Sequence, residues 1–236
     1  MTTESHREHH HRNVHGGAAR AAVFGASDGL VSNVSLILGI AGADSSQGLV
    51  RVAGVAGLVA GAVSMAAGEY VSMQAQKELL ERELELERRE LVANPQKEIA
   101  ELASIYRSRG IDDDVAEEMA RGVMDDPDQA LEVHAREELG VDPESLGDPW
   151  QAALSSFGAF ALGALIPLLP WFFTGGTAAV VASIVLGLLG AAAVGIAIGI
   201  ATDRSITRAA VRQVLIAAGA AAVTYAIGTA VGAEVT

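Results

Sequence analysis

GLVAGAVSMAAGEYVSMQAQKELLERELELERREL (57–91) opens as a glycine- and alanine-rich apolar run and closes as a glutamate-heavy one. Nothing between Glu69 and Ala93 stops a helix, and Asn94-Pro95 then ends it. A membrane span therefore continues into a charged rod as one helix. From Leu49 to Val92 it would measure roughly 66 Å at about 1.5 Å per residue. The charged half is helical by propensity and should offer one apolar stripe to a partner. With Leu80 as zero, Leu84 falls at about +40°, Leu91 at about +20° and Glu87 at about −20° on the helical wheel. A solvated helix has no need of a carboxylate on that stripe.

The 236 residues are 50% hydrophobic and contain no cysteine. The apolar residues concentrate in 18–75 and 151–233, with the charge between them. Residues 77–148 hold 22 acidic and 9 basic side chains, and the rest of the chain holds 7 of each, so the net charge of −13 belongs to that middle segment. The composition is that of a membrane protein with an acidic insert. Such a field repels nucleic acid and attracts cations. The lack of cysteine excludes disulfides and thiolate metal sites. No apolar run precedes a cleavage site, so no removable signal peptide is expected.

Five stretches are long and apolar enough to cross a hydrocarbon core, which takes about 20 helical residues: roughly 20–42, 50–73, 152–173, 177–201 and 209–232. The fold class expected is all-α, a five-span bundle with a helical insert between spans two and three. The domains expected are a histidine-rich disordered tail (1–17), spans one and two (18–76), an acidic metal-binding domain (77–149) and spans three to five (150–236). Pro167 and Pro170 should kink span three or end it early. Arginine placement sets the orientation. Arg7, Arg12 and Arg20 precede span one, most insert cations follow span two, and Arg204, Arg208 and Arg212 surround the last turn. The positive-inside bias puts the N-terminus and the insert in the cytoplasm and the C-terminus outside; in a bacterial cell the membrane would be the plasma membrane. Gly25/Gly29, Gly57/Gly61 and Gly195/Gly199 are each four apart, a spacing that lets helices approach closely. Tight packing within the chain accounts for such pairs more simply than a dimer face does. Five spans nevertheless enclose a polar pathway poorly on their own, which favours a homodimer.

The insert should hold three further helices: one from Pro95 to Ser108 closed by Gly110, one over 112–124, and one over 128–139 closed by Gly140. The wheel repeats its result on two of them. Glu98 shares a stripe with Leu102 and Ile105, flanked by Glu101; Glu138 shares one with Leu131 and Ala135, flanked by His134. Three helices thus bring Glu87/Glu90, Glu98/Glu101 and His134/Glu138 toward apolar stripes. Glutamate is common in these helices, so one such coincidence means little; three in a row point further. Burying an ionised carboxylate without a partner costs several kcal/mol or raises its pKa. A bound divalent cation removes the conflict, and oxygen-plus-imidazole ligation suits Fe²⁺, Mn²⁺ or Zn²⁺.

Asp28 sits about ten residues into span one, where a carboxylate costs roughly 2.5–3.5 kcal/mol. It should face a bundle interior or an aqueous path. Met65, Glu69 and Met73 share one face of span two. Met65 reads equally well as core filler, and Glu69 as the end of the span.

AVFGASDGLVSNVSLILGIAGA (22–43), GLVAGAVSMAAGEYVSMQAQKE (57–78), NPQKEIAELASIY (94–106), REELGVDP (136–143) and FALGALIPLLP (160–170) resemble the vacuolar iron transporter family, with its nodulin-21-like members. The resemblance covers most of the chain, and its DGL and GAVSMAAGEY motifs are specific. It implies a dimeric, five-span, proton-coupled exporter of cytosolic Fe²⁺ or Mn²⁺, without a prosthetic group and without enzymatic activity. It carries metal collection to Glu87, Glu90, Glu98, Glu101 and Glu138, and the transport pathway to Asp28 and Met65. Two departures stand out. Plant-type members place a carboxylate where this chain has Gly57, for which Glu69 could substitute only if water reaches it. They also have a methionine pair at His134 and Ala135, where imidazole is the harder ligand.

HREHHHRNVH (6–15) holds five of the six histidines, and it reads as a weak metal-scavenging tail or as a segment without function. Two other classes compete with transport. A membrane-anchored di-iron or ferritin-like oxidase would also draw Glu from separate helices, but the insert lacks Glu-x-x-His in that order. A metal sensor would bind without moving its ion. No nucleotide-binding loop or nucleophilic triad is visible, which argues against ATP-driven pumping.

Overall fold

In a computed structural model the protein is described over residues 17–44, 46–141, 143 and 147–235. The histidine-rich segment lies outside the described residues, as does part of the connection that follows Gly140. The described residues are helical, without strands: α1 Gly17–Ala43, α2 Gln47–Ala93, α3 Pro95–Ser108, α4 Asp113–Val123, α5 Pro127–Glu137, α6 Pro149–Leu168, α7 Pro170–Phe173, α8 Gly176–Ala201 and α9 Ile206–Val235. Five of them, α1, α2, α6, α8 and α9, are long and apolar enough to cross a membrane.

The described residues pack as two compact units, those within 1–71 and 148–236 and those within 72–147, and α2 contributes to both. In the first unit, α1 is the central helix and packs most closely on α6 and α9. Glycine makes the approach possible. A Cβ built on Gly29 would lie 2.2 Å from the Phe160 carbonyl oxygen, and one on Gly25 2.7 Å from that of Ser156. Gly195 and Gly199 meet the backbone of α9 in the same way, at Ala209, Ala210 and Ile206. Gly57 and Gly61 instead meet side chains, those of Leu36 and Phe160. All three glycine pairs therefore serve packing within the chain.

Two polar side chains inside this bundle, Asn33 and Ser183, are tied to backbone carbonyls. Asn33 Nδ2 donates to the Ala164 carbonyl at 2.7 Å, and Ser183 accepts from Trp171 Nε1 while donating to the Pro167 carbonyl. Pro167 and Pro170 act as their chemistry requires: α6 stops at Leu168 and the short α7 follows. The outer faces carry Val52, Val59, Val63, Leu162, Leu189 and Leu215, all exposed. Acyl chains are the solvent that tolerates such a surface, and the protein is an integral membrane protein.

In the second unit, Asn or Asp followed by proline starts α3 and α5. Pro95 and Pro127 occupy first-turn positions after Asn94 and Asp126, and the Asp126 carboxylate caps the Asp128 and Gln129 amides. Gly110 and Gly140, at φ +89° and +66°, stand just past the ends of α3 and α5. Leu102, Ala103, Tyr106, Ala116 and Ala120 form the core, with Ile99, Ile111, Val123 and Val133 around it.

Candidate metal site

Among the described residues of the second unit, polar side chains are buried together at one place. Glu87 comes from α2, Glu98 from the first turn of α3, His134 from α5, and Glu138 from the residue that caps α5. His134 Nδ1 lies 3.0 Å from Glu138 Oε1, 3.1 Å from Glu87 Oε1 and 4.0 Å from Glu98 Oε2. One ligand atom from each of the four residues can be chosen so that all lie within 4.8 Å of one another. Glu98 and His134 are fully buried, Glu87 nearly so, and Glu138 closes the side toward solvent.

Local sequence explains how the residues reach this point. Pro95 fixes the start of α3, so Glu98 falls within its first turn. The Asp126 cap and Pro127 likewise fix α5, and His134 and Glu138 then fall on one face, four residues apart. Leu80, Leu84 and Leu91, on the stripe that Glu87 shares, are each half-buried, and Glu87 is the most buried of the four.

The electrostatics of the group are unfavourable as they stand. Burial, then the charges of Glu138 and Glu98, push the Glu87 carboxyl up to about 7. Burial, then Glu101, raises that of Glu98 as well, against the opposing pull of Lys97. Glu87 Oε1, both Glu98 oxygens and His134 Nε2 are buried and have no hydrogen-bond partner in the protein. Such atoms are costly unless something satisfies them. Three carboxylates and one imidazole within ligand distance of one another fit a borderline divalent cation of the Fe²⁺, Mn²⁺ or Zn²⁺ kind.

Glu90 and Glu101 do not join the group. Both are exposed, and Glu101 pairs with Lys97 at 3.3 Å. They act on the site through charge, each helping to raise Glu87. In the first unit, Asp28 is half-buried and accepts from Ser32 Oγ at 3.0 Å. Met65 packs beside Ala62, Phe160 and Ala164. Glu69 meets Arg20 at 2.7 Å. A Cβ at position 57 would lie 2.3 Å from Leu36 Cδ2, the tip of a side chain that would have to turn aside, and 3.1 Å from Asn33 Oδ1. Arg20 and Lys97 also contact candidate residues, and neither is among the site residues to which the sequence points. Lys97 is a neighbour in sequence and could have been found by its spacing; Arg20 lies a whole span away from its partner.

Residues 19–229 match the model of the VIT family. Among curated proteins, the chain is 44% identical over 153 residues to a vacuolar iron transporter of Acanthamoeba castellanii, an alignment covering 65% of this chain and 55% of that protein. It is 33% identical over 219 residues to vacuolar iron transporter 1 of Eucalyptus grandis, covering 91% of this chain and 86% of the relative. To vacuolar iron transporter 1 of Arabidopsis thaliana it is 34% identical over 216 residues, covering 89% and 85%.

Proposed function

The chain belongs to the VIT family, and from that membership we propose that it is a metal transporter, not an enzyme, whose cargo is Fe²⁺ or Mn²⁺. The relatives carry the name vacuolar iron transporter, which supports iron as one cargo. The observation that bears most weight is the group of Glu87, Glu98, His134 and Glu138, with its unsatisfied buried oxygens. A divalent cation taken up there neutralises charges that otherwise repel one another. Glu90 and Glu101 stand outside and draw cations toward it.

In this reading the second unit is cytoplasmic and collects metal, and the ion then crosses along α1 and α2 past Asp28 and Met65. Proton exchange accompanies it, because carboxylates release metal when they take up protons. The positive-inside bias supports this orientation, with the C-terminus on the far side. A homodimer would complete a pathway that five spans enclose poorly.

The test is flux in proteoliposomes loaded with a metal-sensitive dye. Wild-type protein should carry Mn²⁺ and Fe²⁺ faster when a proton gradient opposes the metal's direction. Asp28→Ala should abolish that flux, and flux unchanged by it removes the mechanism. His134→Ala should weaken equilibrium Mn²⁺ binding and slow uptake at low metal concentration.

A further inference from the structure

Among the described residues, Arg20–Glu69 is the ion pair that joins two spanning helices. Arg20 Nη2 donates to Glu69 Oε1 at 2.7 Å. The partners are unequally placed: the arginine side chain is 64% exposed and the glutamate side chain 11%.

The neighbouring contacts give the pair a position. Arg20 of α1 touches Glu69 of α2, Gly57 faces Asn33 and Leu36, and Gly54 faces Ile37. The two helices therefore run antiparallel. Asp28 lies about 12 Å along α1 from Arg20, and Met65 about 6 Å along α2 from Glu69. The ion pair stands at one end of the row that the transport reading assigns to the ion.

A carboxylate this enclosed needs a positive charge beside it, whatever supplies that charge. The guanidinium supplies it now, from a side chain that stays mostly in solvent. Because Arg20 is exposed, it regains full hydration on leaving, and an exposed partner of this kind is held weakly. Because it is tethered, it returns at a high effective concentration. A monovalent ion in solution offers Glu69 no more charge than the tethered guanidinium does and so displaces it poorly. A divalent cation offers twice the charge.

We infer that Glu69 is a cation-binding carboxylate at the end of the pathway, and that Arg20 is its built-in occupant, displaced by divalent ions and not by monovalent ones. The exchange is one of ligands only: the incoming cation takes the Glu69 oxygen, and the guanidinium returns to water. The inference rests on the transport reading above and adds to it an entry site with selectivity for ionic charge.

The experiment compares wild type, Arg20→Gln, Arg20→Lys, Glu69→Gln and the Arg20→Gln/Glu69→Gln double variant in proteoliposomes. The readout is the KM for Mn²⁺ with and without added K⁺. Arg20→Gln should lower the KM about two- to fivefold, the range of a weak exposed ion pair, and make uptake sensitive to K⁺. Arg20→Lys should restore insensitivity to K⁺. Glu69→Gln should raise the KM, and the double variant should behave as Glu69→Gln alone. Arg20→Gln with the wild-type KM and no response to K⁺ overturns the inference, as does a double variant whose changes are additive. If Glu69→Gln fails to fold, Arg20→Gln and Arg20→Lys still decide the matter. If wild type moves no Mn²⁺, the transport reading fails; the same comparison by radiolabelled Mn²⁺ binding then decides the exchange separately.

Discussion

His134 Nδ1 lies 3.1 Å from Glu87 Oε1, which joins α5 to α2 inside the second unit. Glu98, fully buried, stands 4.0 Å from the same nitrogen; neither of its carboxylate oxygens has a hydrogen-bond partner, and Lys97 Nζ lies 3.6 Å from its Oε1. A neutral imidazole can satisfy one of these carboxylates, not three. The remaining negative charge is what a cation would answer.

Substitution should therefore separate the inner glutamates from the outer ones. Glu87→Gln and Glu98→Gln should each weaken Mn²⁺ binding by at least about tenfold, or about 1.4 kcal/mol. Glu90→Gln and Glu101→Gln, exposed and outside ligand distance, should cost less than that. Metal-free Glu98→Gln should also melt at a higher temperature than wild type, because a buried charge among like charges has been removed. Isothermal titration and thermal melting of the detergent-solubilised chain would check both. Equal losses for all four glutamates would show that the buried group is not the centre of binding.

The Glu87 carboxyl gives the metal-free protein a defined pH dependence. Its value in the folded state is about 7, above the usual 4.5, because of burial and the charges of Glu138 and Glu98. The folded chain thus holds this proton more tightly than the unfolded chain does. Stability from that proton is fully present below 4.5 and is lost as pH rises through 7. Glu98 is raised in the same direction and adds to the effect. Metal-free protein should then melt at a higher temperature at about pH 5 than at about pH 8. Added Mn²⁺ should raise the melting temperature more at the higher pH, where the carboxylates are free to bind it. Differential scanning fluorimetry across this range, with and without chelator, would check it.

Much of this site was legible in the sequence because it depends on local rules. Asn94-Pro95, Gly110, Gly140 and the Pro167/Pro170 pair mark helix ends by backbone chemistry alone, and the helices stop within three residues of those marks. Once the helix starts are fixed, a count of 100° per residue places Glu87, Glu98 and Glu138 on apolar stripes. The same count leaves flanking residues undecided: His134 and Glu101 both flank a stripe, yet His134 is buried and Glu101 exposed. Lys97 lies 3.3 Å from Glu101 and 3.6 Å from Glu98, contacts that the wheel does not contain. Pairings across the bundle were less legible still. Arg20 with Glu69 and Asn33 with Ala164 depend on which spans adjoin, and hydropathy ranks spans without arranging them.

The glycines offer a contrast between two substitutions of the same kind. At Gly29 a Cβ would lie 2.2 Å from the Phe160 carbonyl oxygen and under 3 Å from two further backbone atoms of that residue. No side-chain rotation can relieve contacts with backbone, so α1 and α6 must separate. Gly29→Ala should cost about 1–3 kcal/mol, as overpacking of a close interface does, and should lower both melting temperature and folded yield. At Gly68 of α2 a Cβ would meet nothing within 4 Å. There alanine brings only its better helix propensity, so Gly68→Ala should leave stability unchanged or raise it by up to about 1 kcal/mol. Fluorescence-detected size exclusion with a heating step would rank the two variants against wild type. A Gly29→Ala protein as stable as Gly68→Ala would mean that α1 and α6 do not meet backbone to backbone at Phe160.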